Sequence, residues 1–238
     1  MTLKPDDRLL ILGKTGKGKT VIETYVLDSF LAVQPPGWMQ IVIDTQQDAK
    51  VNFPIKANGV VTGSPKELLA MMRRTDLPRV VYQPEGAHDT VDGLDEVFSW
   101  AFQRRACTVA VDELPHVVGA TGQAGPGLKD VLQRGRARHV GFIALAQDPV
   151  YIPGYVKSQS SYIILLPTSK TYWDYYRKHL IPDGYGDIVN TFPTEHGFWL
   201  WDMADDDTAP SYVKALPIDP ENPYRHPASC PCPYCRAA

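Results

Sequence analysis

Long hydrophobic runs are missing from this chain. The longest, such as YIILL (162–166), fall far short of the roughly 20 apolar residues that cross a bilayer. The opening MTLKPDDRLL also lacks the apolar stretch of a secretory leader, so the expectation is a soluble, intracellular protein and not an integral membrane protein. Cysteine is scarce. Cys107 stands alone in a strand-like run, and Cys230, Cys232 and Cys235 crowd the C-terminus. That is no distributed disulfide framework, and a reducing compartment is the default. An excess of positive charge is missing too: 24 Lys and Arg stand against 27 Asp and Glu, for a formal net charge of -3. Proteins that coat nucleic acid are strongly basic, so any DNA contact here is local or shared across an assembly. No internal repeat is present.

What is present is an alternation of short apolar runs and amphipathic stretches over 238 residues, 44% of them hydrophobic, enough for one large domain or one domain and a tail. Strands are predicted at 8–13, 40–45, 59–63, 79–83, 107–113, 140–147 and 161–167. Helices are predicted at 19–33, 64–74, 90–105, 127–137 and 169–180. The helix at 64–74 opens with Ser64 as N-cap, Pro65 at the first helical position and Glu67 three residues on. The helix at 90–105 turns Leu94, Val97, Phe98 and Ala101 to one face. The regular alternation predicts an α/β fold whose parallel sheet is covered on both faces. A final pair of strands, 197–203 and 211–217, is expected at an antiparallel edge. From Pro217 the composition shifts to proline, polar residues and cysteine, which predicts a domain over 1–216 and a tail over 217–238.

Between the first strand and the first helix lies GKTGKGKT, and it satisfies G-x-x-x-x-G-K-[ST] in the right context. Gly13, Lys14, Thr15, Gly16, Lys17, Gly18, Lys19 and Thr20 read as a phosphate cradle. Glycines let successive backbone N–H groups converge on phosphate oxygens, and the helix start adds its positive end. Lys19 is placed to reach the β- and γ-phosphates and Thr20 to ligate Mg²⁺. Hydrolysis needs a further metal carboxylate and a group that orients water. The buried strand TVAV runs into Asp112 and Glu113, read as the metal acid (in part through water) and the base. The next strand ends in Gln147, where a polar side chain points into the ligand crevice of an open α/β sheet; it reads either as a sensor of the γ-phosphate or positioner of water, or as an edge glutamine bonding a loop. Just before that strand, QRGRARH spaces Arg134, Arg136 and Arg138 at every second residue. They read either as a solvated basic face or as a source of an arginine finger, for which Arg136 and Arg138 are the candidates.

With these pieces in hand, the P-loop, VDE (111–113), RGRARHVGFIALAQDP (134–149) and the later SYIILLPTSKTYWDYYRKHL and TEHGFWLWD, the chain resembles the FtsK/HerA superfamily of motor ATPases over about residues 5–216. As a short, stand-alone chain it looks most like the genome-packaging ATPases of membrane-containing icosahedral viruses. The resemblance implies a RecA-like, ASCE-type P-loop NTPase: a three-layer sandwich with a mainly parallel sheet and antiparallel C-terminal additions. It also implies ATP as the nucleotide, a ring, commonly a hexamer, and translocation of double-stranded DNA through its pore. Capsid-vertex or viral membrane proteins would be partners, in the host cytoplasm or at the virion vertex. Two positions depart from the pattern: Lys17 stands where Ser is common, and Thr45-Gln46-Gln47 follows Asp44 where relatives often carry a basic or glycine-containing turn.

Two further stretches carry open readings. The glycine-rich 119–130, with Lys129, is either a DNA-gripping pore loop or a long active-site loop. In the tail, His226, Cys230, Cys232 and Cys235 are zinc-type ligands in the number a site needs, but the proline-interrupted C-x-C-x-x-C is stiff and cramped. An extended arm without metal, a site built from these four, or one shared between subunits all fit. Alternatives to a DNA motor are an ATPase for virion assembly or secretion, a nucleotide switch, and a capsid protein with a degenerate site. No N-K-x-D guanine reader is present to favour a GTPase switch.

Overall fold

The structure, a computed structural model, describes residues 3–47, 55–56, 59–119, 122–192, 197–203, 208–214 and 216. Its strands are β1 (Arg8–Leu12), β2 (Met39–Ile43), β3 (Val60–Thr62), β4 (Arg79–Tyr82), β5 (Cys107–Val111), β6 (Val140–Ala146), β7 (Tyr162–Leu165), β8 (Phe198–Asp202) and β9 (Ser211–Val213). They join in one sheet of order β3-β4-β2-β5-β6-β1-β7-β8-β9. Every pairing from β3 to β7 is parallel, while β8 runs antiparallel to β7 and β9 to β8.

Both faces of the sheet are buried, which is why its strands read as continuous apolar runs. Successive side chains alternate between the faces. Leu9, Ile11, Val42, Ala110, Ile143 and Leu145 pack on one side with Ile22, Val26, Leu27 and Phe30 of α1 (Lys19–Val33). On the other side Leu10, Leu12, Val109, Val111 and Phe142 meet α3 (Val91–Arg104) and α5 (Pro126–Arg134). The predicted apolar face of α3, Leu94, Val97, Phe98 and Ala101, is buried there. Between these lie α2 (Pro65–Met72) and α4 (Leu114–Val118), with α6 (Gly154–Gln159) and α7 (Trp173–His179) following. α2 starts as predicted: Ser64 Oγ accepts from the Glu67 N–H at 3.4 Å, with Pro65 in the first turn. This is the mainly parallel three-layer α/β sandwich expected, with its antiparallel additions.

Several boundaries differ from the sequence reading. The helix expected over 127–137 is α5 followed by a 3-10 turn, Gly135–Arg138. The chain must reverse into β6, and His139 does so in the left-handed region at φ 57°. The helix expected over 169–180 is likewise a 3-10 turn, Lys170–Tyr172, leading into α7. The last strand stops at Val213. The five-residue α4 and the six-residue α6 are too short to carry a periodic signal.

Beneath α1 lies a polar layer. Arg79, 1% exposed, donates from Nη2 to Asp28 Oδ1 at 2.7 Å and from Nε to Gln40 Oε1 at 2.8 Å. Gln40 in turn donates to the Leu27 carbonyl at 2.6 Å. Together they tie β4 and β2 to α1. Beside them Glu23 is fully buried, and among the described residues neither carboxylate oxygen has a hydrogen-bond partner. Burial drives its pKa well above the ordinary 4.5; Asp112 and Asp44 push the same way, and Arg79 opposes. Because the folded value is raised, folding takes up a proton. The stability Glu23 confers is fully present below about pH 4.5 and is lost as pH rises through the folded value. Wild type should therefore lose stability relative to Glu23→Gln as pH rises from 5 to 8, at up to about 1.4 kcal/mol per pH unit. Urea unfolding across that range checks it, and parallel pH profiles would overturn it.

Candidate active site

The carboxyl ends of β1, β5 and β6 converge on one crevice. Leaving β1, Gly13 donates to the Ala146 carbonyl at 3.3 Å and Lys14 to the Pro167 carbonyl at 3.1 Å. The loop is thus stitched to the strands on either side of β1. A side chain at Gly13 would put its Cβ 2.8 Å from Leu166 Cβ, so the close approach requires glycine. Gly16 and Gly18 adopt φ +75° and +94°, the left-handed region that L side chains avoid. Gly18 then caps α1, its carbonyl accepting from Ile22 N–H at 3.0 Å.

Lys19 folds back into this loop and donates from Nζ to the Gly13 carbonyl at 2.9 Å. Desolvation lowers its pKa to about 8, with Glu113 the acid that opposes the fall. A desolvated ammonium among backbone N–H groups at the start of a 15-residue helix suits a multiply charged phosphate.

The acidic pair follows β5. Asp112 Oδ1 accepts from the Thr45 N–H at 3.1 Å and the Thr45 hydroxyl at 2.8 Å, and Oδ2 accepts from the Gln46 N–H at 3.0 Å. Burial raises its pKa and these bonds oppose it. A carboxylate offers about four acceptor positions, so roughly one remains for a metal-bound water. Asp44 shapes the turn that supplies these donors: it accepts from the Gln47 N–H at 2.9 Å and from Gln83 Nε2 at 2.7 Å, and it pairs with Lys56 at 3.0 Å. Glu113 accepts from Gln147 Nε2 at 3.2 Å. Burial lifts its pKa, against Lys19 and the Gln147 bond. The Gln147 amide oxygen in turn accepts from the Thr15 hydroxyl. Thr15, Lys19, Glu113 and Gln147 are thus brought together.

These residues fit Mg²⁺ bound alongside a phosphate. Among the described residues no group of three or more His, Cys, Asp or Glu could hold a metal alone. Thr20 and Asp112 would supply few ligands, and Mg²⁺ commonly takes the rest from phosphate oxygens and water.

The arginines lie elsewhere. Arg134, Arg136 and Arg138 precede β6, whose start pairs with the start of β5, at the amino end of the sheet. The charges facing Arg136 are Asp7 and Arg8 at the head of β1. A five-residue strand, roughly 16 Å long, separates that end from Gly13, beyond the reach of an arginine side chain. Arg138 and Arg134 lie over the Phe102 ring, at 4.5 and 5.0 Å from its centroid, and Arg134 also pairs with Asp130. Arg136 is exposed; its carbonyl accepts from the His139 N–H at 3.1 Å, and its guanidinium feels the charge of Asp7 without a hydrogen bond or salt bridge among the described residues.

The glycine-rich 119–130 is not a loop throughout. From Pro126 it is helix α5, and the Gly127 and Leu128 N–H groups each donate to the Asp95 carboxylate at 2.9 Å. Gly125 and Gly127 are small because α3 comes close there. Lys129 is exposed on α5. The candidate zinc ligands His226, Cys230, Cys232 and Cys235 lie outside the described residues.

Sequence reasoning did not find the roles of Thr45 and Gln46, the link from Thr15 to Gln147, or buried Glu23. The departure at Thr45-Gln46-Gln47 was the available signal for the first.

No protein-family model matches the sequence, and no curated protein sequence matches it. Solved structures do. The genome packaging NTPase B204 from Sulfolobus turreted icosahedral virus 2, in complex with ATPγS, superposes with TM-score 0.70 at 17% identity, covering 90% of this chain and 99% of that one. VirB4 of Thermoanaerobacter pseudethanolicus gives 0.64 at 13% identity, covering 90% of each chain. The cytoplasmic domain of the Thermomonospora curvata type VII secretion ATPase EccC gives 0.54 at 15% identity, covering 97% of this chain and 27% of that one. At these identities the likeness is one of fold: the chain has the architecture of a viral genome-packaging NTPase and of secretion-type ATPases.

Proposed function

We propose that the protein is an ATP-hydrolysing motor that moves double-stranded DNA and packages a viral genome into a preformed capsid. The observation that carries the hydrolytic part is the convergence of Lys19, Glu113 and Gln147 at one crevice. The likeness to B204, named as a genome packaging NTPase, supports the DNA part. The working unit is residues 1–216, with 217–238 as a tail.

In this reading the P-loop N–H groups and Lys19 hold the β- and γ-phosphates, while Thr20 and Asp112 hold Mg²⁺, which neutralises charge on the phosphate oxygens. Glu113 orients a water and takes its proton as the water oxygen bonds to the γ-phosphorus and the bond to ADP breaks. Gln147 faces the same water and the γ-phosphate. Arg134, Arg136 and Arg138 lie at the opposite end of the sheet from the crevice, so an arginine finger from among them comes from a second copy. Arg136 is the better placed donor, since Arg138 is held over Phe102. Copies arranged head to tail close into a ring, here a hexamer, whose repeated cations grip DNA phosphates despite the net charge of -3. A second reading, an ATPase for virion assembly or secretion, is supported by the likeness to EccC, named as a type VII secretion ATPase. Among the described residues no helix is long and apolar enough to cross a membrane.

ATP turnover should rise when long double-stranded DNA is added and should accompany a ring-sized species. Turnover indifferent to DNA favours the second reading. Glu113→Gln should bind ATP while turning over about 10²–10⁴-fold more slowly; wild-type turnover would remove Glu113 as the base. Lys19→Ala should abolish binding or turnover.

Arg136→Ala should lower turnover by about 10³-fold or more. In mixed assemblies it should silence wild-type neighbours. Loss in strict proportion to the mutant fraction would make Arg136 structural instead.

A further inference from the structure

We infer that Thr15 is a positioning residue for hydrolysis: through its hydroxyl it sets the Gln147 amide, and through that amide it sets Glu113. The inference rests on the proposed hydrolytic role of Glu113 and deepens it. Thr15 was assigned only as one of the eight P-loop residues, and a residue in the middle of that loop needs no hydroxyl to present its backbone N–H.

The chemistry of the three groups fixes their order. The Glu113 carboxylate only accepts, so the Gln147 group facing it, at 3.2 Å, must be the amide NH₂. The other end of the amide is then its oxygen, which accepts only. The Thr15 hydroxyl, able to donate, is its partner. Among the described residues that oxygen has no other partner, while Glu113 is held by both the side-chain amide and the backbone of Gln147. Without Thr15 the amide keeps its NH₂ toward Glu113 but is held at one end only, so its position beside the base is less fixed. The hydroxyl thus tightens the orientation of the base, which the Gln147 backbone also supports.

Its position adds a consequence. Thr15 lies on the loop between Lys14, bonded to the Pro167 carbonyl, and Gly16 at φ +75°. That loop is the seat of the phosphates. The path Thr15–Gln147–Glu113 joins the phosphate seat to the base by two hydrogen bonds, with no intervening backbone movement.

The test compares Thr15→Val, which keeps the shape and removes the hydroxyl, with Thr15→Ser, which keeps the hydroxyl. ATP turnover and the dissociation constant for a fluorescent ATP analogue are measured for each, with Gln147→Ala, Thr15→Val/Gln147→Ala and Glu113→Gln alongside. Thr15→Val should lower kcat by about three- to tenfold, the worth of one neutral hydrogen bond, with analogue affinity unchanged. Thr15→Ser should restore turnover. The double variant should be no slower than Gln147→Ala alone, because both changes break one path. Wild-type kcat in Thr15→Val overturns the inference, as does a loss matched by weaker binding. Multiplicative loss in the double variant also overturns it, since Thr15 would then act elsewhere. If Glu113→Gln is inactive while Thr15→Val is normal, only this inference falls. If Glu113→Gln turns over normally, the hydrolytic reading falls and takes the inference with it.

Discussion

β6 lies between β1 and β5, and the geometry of the crevice follows from that insertion. Neighbouring strands are about 4.8 Å apart, so the tips of β1 and β5 stand roughly 10 Å from each other. Thr15 and Glu113 therefore need a group between them to communicate. The register supplies one. Val111 pairs with Ala144 and Leu12 with Ala146, so Gly13 is level with Gln147, and Glu113 is one residue short of it. A side chain at the end of the middle strand then spans the gap in both directions. Crevices at the carboxyl ends of parallel strands are general to open α/β sheets; here the strand order decides which residue bridges.

The proposed phosphate loop depends on α1, and α1 depends on polar contacts in a place that elsewhere would be filled by Leu and Val. The Arg79–Asp28 pair is fully desolvated, and such pairs add little net stability over an apolar replacement. What it adds is direction. The planar guanidinium and Gln40 fix the rotation of α1 over β2 and β4, and so the orientation of its first turn, where Lys19 and Thr20 lie. Glu23, one turn beyond Thr20 and without a partner, is the cost of this arrangement. A carboxyl kept from water beside Asp112 and Asp44 concentrates acid beneath the crevice.

The architecture was largely legible in the sequence because parallel strands buried on both faces leave uninterrupted apolar runs, as RLLIL and CTVAV do. The phosphate loop, Asp112, Glu113 and Gln147 were legible because each ends such a run, where side chains reach the crevice whatever the details of packing. What stayed hidden depends on partners distant in sequence. Arg79 and Gln40 read only as the first residues of strands, and only the pairing of β2 with β4 brings them side by side beneath Asp28. The grip of Thr45 and Gln46 on Asp112 spans 67 and 66 residues and has no local pattern. Gly125 and Gly127 suggested loop freedom, yet they are small because Asp95 comes close.

The arginines turn this geometry into an argument about assembly. Arg8 opens β1, Arg79 opens β4, Arg104 and Arg105 precede β5, and Arg134, Arg136 and Arg138 precede β6. All of them lie at the amino end of the sheet. Several have local work: Arg104 donates to the carbonyls of Gly37, Met72 and Ala106, and Arg8 to that of Leu132. The Arg136 guanidinium makes no hydrogen bond or salt bridge among the described residues. Phosphoryl transfer needs more positive charge at the γ-phosphate than Lys19 and one metal supply. On the proposed reading part of that charge is an arginine that enters from a neighbouring copy. A contact that sets the amino end of one sheet against the carboxyl end of the next is heterologous, and repetition of such a contact closes into a ring or opens into a helix. Hydrolysis at each crevice would then report on the position of the neighbouring copy, which is what a motor that steps around a ring requires.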